Sequence, residues 1–188
     1  MPRKATITQK EIVGAAFRLT KQEGFEAITS RKLAAAAGCS TQPIFRIYEG
    51  MSDLKKDVYE KAVEFYDEFY AASDKSHDVP FVDLGLCYIN FAQKNPHLFR
   101  LLFLADKKGQ EDEESRSMYD LVNGDGEHIV AEINKASDMG AQNVQHLFMQ
   151  MWIFIHGAAC MAVSGDYDLA DEDTVSLLTA AYHAFSGV

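Results

Sequence analysis

The chain has 188 residues, 47% of them hydrophobic and 24% charged, a balance that excludes a disordered protein. The longest largely apolar stretch covers residues 151–163 and is shorter than the roughly 20 residues of a membrane-spanning helix, so we expect no membrane segment. The first eleven residues place no apolar segment after their positive charges, which predicts no secretory signal. Three widely spaced cysteines have neither disulfide nor metal-site spacing. These features predict a cytoplasmic protein.

Charge is distributed unevenly along the chain. Residues 1–56 carry ten basic and five acidic side chains, a net +5, whereas the remaining 132 residues carry eight basic and 23 acidic, a net −15. A local basic region on an acidic protein can bind nucleic acid, although a small excess of this kind also occurs on ordinary solvated surfaces.

Helix-forming residues dominate, and no sustained alternation of apolar and polar residues indicates a sheet, so an all-α fold is predicted. Thr8 and Glu11 have the spacing of a capping box at the start of the first helix. Gly24 is expected to end that helix in a left-handed conformation.

Two short helices are predicted next. The first begins at Thr29 or Ser30 and ends at Ala37, where Gly38 permits a tight turn. Ser40 is expected to be the N-cap of the second, which ends near residue 48. A helix, a glycine-containing turn and a second helix form a helix-turn-helix unit, whose second helix reads the major groove of DNA. The same pattern also fits an ordinary corner between two helices.

Residue types along the second short helix suggest how its faces are used. We expect Ile44 and Ile47 to point inward. The first turn of such a helix meets base edges in the groove. The side chains expected to face the groove, its phosphates or the neighbouring helix are Thr41, Gln42, Phe45, Arg46 and Tyr48.

The rest of the chain is also predicted to be helical. A stripe of apolar residues from Leu54 to Phe69 predicts one long helix that starts near Ser52 and connects the N-terminal unit to the remaining helices. Pro96 suits the first position of a helix, and glycines at 124 and 126 should interrupt the region 114–137. The other predicted helices cover residues 80–94, 142–164 and 172–186.

The helix predicted over 142–164 is apolar on nearly all sides and must be covered on all sides. One chain of this size can hardly cover both that helix and the last one. We therefore expect a two-fold homodimer with a four-helix interface, which also suits palindromic half-sites. Ala181 on the last helix is expected to lie in the interface.

The first 55 residues resemble the DNA-binding domain of the TetR family of bacterial transcriptional regulators. The matching motifs are Gly24-Phe25, Thr29 with Leu33-Ala34, Ala37-Gly38-Cys39-Ser40, Ile44-Phe45-Arg46-Ile47-Tyr48 and Leu54. The resemblance implies a three-helix DNA-binding head in residues 1–55 and a ligand-binding and dimerisation domain in residues 56–188. It assigns DNA contacts to Thr29, Arg31, Ser40, Thr41, Gln42, Phe45, Arg46 and Tyr48. Ile47 and Met51 stand where the family usually has His and Lys, and Lys55 or Lys56 is a candidate substitute for a missing phosphate anchor.

Residues 91–100 and the motif Trp152-x-x-x-His156-Gly157 resemble a subset of the family named for its Trp-His-Gly motif. This resemblance implies a small-molecule site, and dimerisation through the last two helices. The pocket residues expected are Phe91, Phe99, Phe103, Tyr119, Met151, Trp152, Ile155 and His156. His156 is also compatible with a core histidine that bonds to a nearby carbonyl group.

Together these patterns predict a homodimeric transcriptional regulator, a repressor that a small, partly apolar effector releases from a palindromic operator. Two alternatives stay open: a protein-interaction module with weakened DNA binding, and an all-α enzyme that uses His156. No catalytic motif, cofactor or metal site is predicted. The acidic run at 166–173 lacks the glycine and the terminal glutamate of a calcium-binding loop.

Overall fold

The computed structural model describes residues 7–104 and 126–187, and every regular element in these ranges is helical, which confirms the all-α prediction. A 3-10 turn at Phe25–Ala27 and a π-helical turn at Arg100–Leu104 accompany the α-helices. The helices are α1 (Gln9–Glu23), α2 (Ser30–Ala37), α3 (Gln42–Ile47), α4 (Met51–Ala72), α5 (Val82–Lys94), α6 (Pro96–Phe99), α7 (Glu127–Asp138), α8 (Val144–Ser164) and α9 (Asp171–Ser186). The predicted loop after residue 107 and Gly124 of the predicted glycine break lie outside the described residues, whereas Gly126 is the N-cap residue of α7.

The chain forms two compact units. The first unit comprises Met1–Glu68 and Asn95–Ala105, and the second comprises Phe69–Lys94 and Asp106–Val188. The first unit therefore contains α6 in addition to the three short N-terminal helices and most of α4.

Capping interactions define the ends of α1. The Thr8 hydroxyl accepts a hydrogen bond from the Glu11 amide at 3.3 Å, and the Thr8 amide donates to the Glu11 carboxylate at 2.8 Å, so the predicted capping box is present. Gly24 ends the helix at φ 85° and ψ 154°, which is not the left-handed helical conformation predicted. A Cβ atom at this position would lie 3.3 Å from Nδ1 of His97 on α6, which adds a steric reason for glycine.

The turn between α2 and α3 agrees with the sequence pattern in part. Thr29 caps α2 through the Lys32 amide, and Gly38 ends it in the left-handed region at φ 68° and ψ 29°. The prediction that Ser40 caps α3 is wrong, because α3 begins at Gln42 and Thr41 occupies the N-cap position. Thr41 already has helical backbone angles, and it makes no side-chain capping bond.

The core of the second unit is formed by α5, α8 and α9, and α7 packs against α8. Gly85 allows a close approach on α5, since a Cβ atom there would lie 3.0 Å from Ile155 of α8 and 3.1 Å from Leu178 of α9. The sequence analysis did not identify this glycine as a packing residue.

Phe81 precedes α5 with a backbone conformation that is uncommon for a residue with a side chain. Its φ is 65°, and its ring is fully buried beside the rings of Phe148 and Tyr182. The Phe81 amide donates a 2.6 Å hydrogen bond to the Glu132 carboxylate of α7, so the strained peptide has a charged acceptor.

α8 is longer than the apolar stretch on which the exclusion of a membrane helix was based. By length and hydropathy alone it meets the requirements of a membrane span, and 28% of the relevant window is buried inside the protein. One face of the helix is buried in the unit and carries Leu147, Phe148, Met151, Ile155 and Ala159.

Candidate DNA interface and ligand site

The outer face of α3 carries three exposed side chains of different chemistry: Gln42, Phe45 and Arg46. Phe45 is 61% exposed, whereas Ile44 on the opposite face is 2% exposed and anchors the helix in the core. Together with Pro43, the three outer residues line a shallow recess of about 510 Å³. This face combines an amide, an aromatic ring and a cation, groups that can contact base edges and phosphates in DNA.

The other predicted DNA contacts in the first unit differ in how available their side chains are. Arg31 and Ser40 are exposed, and Thr41 is half-buried. The Thr29 hydroxyl accepts a hydrogen bond from the Lys32 amide at 3.2 Å, so its oxygen is engaged in capping α2. Ile47, which stands where the resembling family usually has a phosphate-binding histidine, is half-buried.

Of the orientations expected for Tyr48, the structure shows the one toward the neighbouring helix, α4. Tyr48 comes directly after the last residue of α3 with extended backbone angles and is 5% exposed. Its hydroxyl donates a 2.5 Å hydrogen bond to Oδ2 of Asp57 on α4, and Gln9 Nε2 donates to the same oxygen at 2.7 Å. Burial, and then the hydrogen bond and the charge of Asp57, raise the pKa of Tyr48, so the phenol stays protonated.

Acidic neighbours accompany two lysines of the first unit. Lys55 Nζ lies 3.2 Å from Glu26 Oε1 and 5.6 Å from the centre of the Phe25 ring. Lys32 Nζ lies 2.7 Å from Glu23 Oε2 on α1. A phosphate that binds either lysine must compete with a carboxylate of the same unit.

The predicted pocket residues fall into both units. Phe91, Met151 and Ile155 are buried in the second unit, where Trp152 and His156 are half-buried. Phe99 and Phe103 belong to the first unit, with ring centres 5.0 Å apart, and Tyr66 packs edge-on against Phe103. Tyr119 lies outside the described residues.

In the second unit, an aromatic row runs along one face of α8. The Trp152 ring is stacked between Phe148, at 6.1 Å, and His156, at 6.0 Å. Tyr88 of α5 packs against Trp152 at 5.1 Å, and its hydroxyl lies 3.0 Å from Nδ1 of His156. The histidine therefore has a phenol partner. Burial lowers the pKa of His156, which favours the neutral imidazole.

Tyr88 is a residue that the sequence analysis missed. It is almost fully buried on α5, and nothing in its own sequence neighbourhood distinguishes it from other core aromatics. Its association with His156 depends on the packing of α5 on α8, which the helical periodicity of either segment does not report.

Large apolar side chains remain exposed on the outer faces of α8 and α9. Ile153 is 61% exposed, and Phe154, Met161 and Leu177 are each more than a third exposed. Ala181 is 8% exposed, so the expectation that it lies in a dimer interface is wrong. It shares the inner face of α9 with the buried residues Leu178 and Tyr182.

Comparisons with known proteins agree with this architecture. The family model described as "Tetracyclin repressor-like, C-terminal domain" matches residues 81–185, more than half of the chain. A TetR-like transcriptional regulator from Rhodococcus sp. RHA1 is similar in structure, with a TM-score of 0.67, 14% identity and 100% of both chains covered. None of the curated proteins compared with the chain matches it.

Two further solved structures, both assigned to the TetR family of transcriptional regulators, show the same fold. The one from Vibrio parahaemolyticus has a TM-score of 0.60 at 18% identity, with 94% of this chain and 97% of that chain covered. The one from Mesorhizobium loti MAFF303099 has a TM-score of 0.55 at 18% identity, with 94% of this chain and 93% of that chain covered.

Proposed function

Because the chain belongs to the tetracycline-repressor-like family of transcriptional regulators, we propose that it is a homodimeric, cytoplasmic repressor that leaves a palindromic operator when a small effector binds. Residues 1–55 serve as its DNA-binding domain, and residues 56–188 bind the effector and dimerise. The observation that carries the proposal is the exposed face of α3, with its amide, aromatic and guanidinium groups in the basic part of the chain.

Each of the three α3 side chains has a natural partner in DNA. A glutamine amide pairs with the N6 and N7 edge of adenine, and a phenylalanine ring packs against the methyl group of thymine. We assign these roles to Gln42 and Phe45. Arg46 neutralises a phosphate, which orients the helix without itself reading sequence. Arg31, Ser40 and Thr41 supply further backbone contacts.

The exposed apolar faces of α8 and α9 support the homodimer. Such faces on a water-soluble regulator mark an interaction surface, and a two-fold axis would bring Ile153, Phe154, Met161 and Leu177 against their own copies. The resulting four-helix interface would present two heads to half-sites about 34 Å apart, one turn of the DNA helix.

The aromatic row beside His156 supports a partly apolar effector. A neutral imidazole and a phenol supply polar contacts, while Trp152 supplies an aromatic face. Effector binding weakens DNA binding only to the extent that the effector prefers the DNA-free conformation. Replacement of His156 by Phe should then weaken the response to any effector that screening identifies by its release of operator DNA.

The experiment that tests the proposal is the selection of bound sequences from random DNA, together with affinity measurements across a salt series. We expect a palindrome and a steep salt slope. Gln42→Ala should cost roughly 1–3 kcal/mol at one base pair of each half-site. Arg46→Ala should reduce the salt slope by about one. Lys94→Ala removes an exposed charge from the second unit and should change neither quantity.

Ile47 and Met51 favour a second candidate function, a protein-interaction module with weakened DNA binding. Neither side chain can anchor a phosphate, and Lys55 has an acidic neighbour in Glu26. Weak binding without an enriched sequence in the selection would support this candidate over the repressor. Both candidates treat the chain as non-catalytic, as regulators of this family generally are.

A further inference from the structure

α3 has little stability of its own and depends on its anchors. It contains six residues, whereas an isolated helix needs more than about 12 residues to be stable in water. No side-chain cap fixes its N-terminus. Two buried side chains hold α3 against the rest of the unit. Ile44 lies in the first half of the helix, and Tyr48 follows directly after its last residue.

The anchor at the C-terminal end is polar as well as buried. The Tyr48 hydroxyl and the Gln9 amide both donate to Oδ2 of Asp57, at 2.5 Å and 2.7 Å, so one carboxylate oxygen connects the ends of α3 and α1 to α4. Asp57 and Gln9 also border a surface recess of about 630 Å³, which gives water access to the carboxylate. Hydrogen bonds to a charged acceptor are stronger than neutral ones, which favours the bonded arrangement over hydration.

We propose that the hydroxyl of Tyr48 and the carboxylate of Asp57 form a latch that holds α3 in one orientation on α4, so that both are positioning residues for base recognition. Neither side chain needs to touch DNA for this role. The inference rests on the proposed function, because only a base-reading helix requires such a fixed orientation. Pairing with base edges depends on the orientation of α3, whereas non-specific attraction to phosphates depends mainly on charge.

Tyr48→Phe is the variant that isolates the latch, because it keeps the buried ring and the net charge and removes the hydroxyl. We expect amides of residues 44–48 to exchange hydrogen faster, while those of α1 and α2 keep their protection. Operator affinity should fall about tenfold, the size of effect that a lost bond to a charged group produces. Affinity for non-specific DNA should change less than about twofold, and the salt slope should stay the same.

Two further variants sharpen the result. Asp57→Asn retains an acceptor oxygen, so its α3 exchange should lie between that of wild type and that of Asp57→Ala. Tyr167→Phe is the matched control: it removes a hydroxyl that lies 3.0 Å from Thr174 Oγ1 in the second unit and should leave α3 exchange and DNA affinity unchanged.

Unchanged exchange of α3 in Tyr48→Phe would overturn the latch, whatever happens to DNA binding. An equal loss of specific and non-specific affinity, together with a lower melting temperature, would also overturn it, since this is the behaviour of a purely structural residue. Failure of the wild type to enrich any sequence would refute the proposed repressor function instead. Hydrogen exchange would still decide whether the latch holds α3.

Discussion

The two units of the molecule differ in the kind of surface they expose. In the first, α3 exposes polar and charged side chains, among them Gln42 and Arg46. In the second, long helices bury one apolar face and leave another exposed, as α8 does with Met151 inside and Ile153 outside. The difference teaches that single side-chain contacts carry the proposed role of the first unit. Whole helix faces carry that of the second.

Ile153→Glu tests the importance of the exposed apolar face and should have the largest effect. If residue 153 lies in the proposed interface, an unpaired carboxylate there costs several kcal/mol and a two-fold axis brings in two copies, so the dimer dissociation constant should rise about 1,000-fold or more. Sedimentation equilibrium measures this change directly.

Asn134→Glu on α7 is the control for that experiment, because it adds a charge at an exposed polar position of the same unit. It should leave the dimer intact. If Ile153→Glu still sediments as a dimer, the interface is on another face. The exposed apolar residues of α8 would then not explain the proposed role of the second unit.

Gly85→Ala tests how closely the core of the second unit is packed. The new methyl group would lie 3.0–3.1 Å from Ile155 and Leu178, so we expect a loss of about 1–3 kcal/mol in the free energy of unfolding. The matched variant Gly14→Ala on α1 meets only the end of Arg18 at 3.7 Å and should gain about 0.5–1 kcal/mol. Urea denaturation measures the free energy of unfolding of both variants. If both change it by the same amount, the packing around Gly85 is no closer than that around Gly14.

Glu26→Gln tests whether the ion pair with Glu26 makes Lys55 less available to DNA phosphates, and its effect should be the smallest of the three. The Glu26 side chain is 88% exposed, and pairs of this kind contribute at most about 1 kcal/mol, so non-specific DNA affinity should rise about two- to fivefold. The gain should disappear in a Lys55→Ala background. A gain that persists there would mean that Glu26 repels DNA directly and that its pairing with Lys55 has no effect.

Local signals explain what could be predicted from the sequence. The capping box of Thr8, the Thr29 cap and the left-handed turn at Gly38 each depend on residues within four positions of one another, so they can be recognised without a fold. The motifs of the helix-turn-helix are also local signals of this kind. The all-α architecture and the exposure of Gln42 and Arg46 are consequences of these local signals.

Features that depend on distant partners could not be predicted in the same way. The sequence leaves open whether Tyr48 faces the groove, its phosphates or the neighbouring helix until Asp57 is placed, and Ala181 looks like an interface residue until the rotation of α9 is known. Helical periodicity identifies an apolar stripe, but it does not say which neighbour covers it. The close approach at Gly85 and the Tyr88–His156 pair likewise require two helices to be docked.

Phe81 shows how two opposing demands can make one position intolerant of change. Its backbone conformation would suit glycine, and a residue with a side chain loses about 1–3 kcal/mol there. Glycine would remove a buried ring that contacts Phe148 and Tyr182, and truncating a core phenylalanine to alanine already costs about 3–5 kcal/mol. The aromatic residue therefore prevails although the main chain disfavours it. Natural variants of this protein should keep an aromatic residue at position 81, and they should keep an acidic acceptor at position 132 for the backbone amide of residue 81.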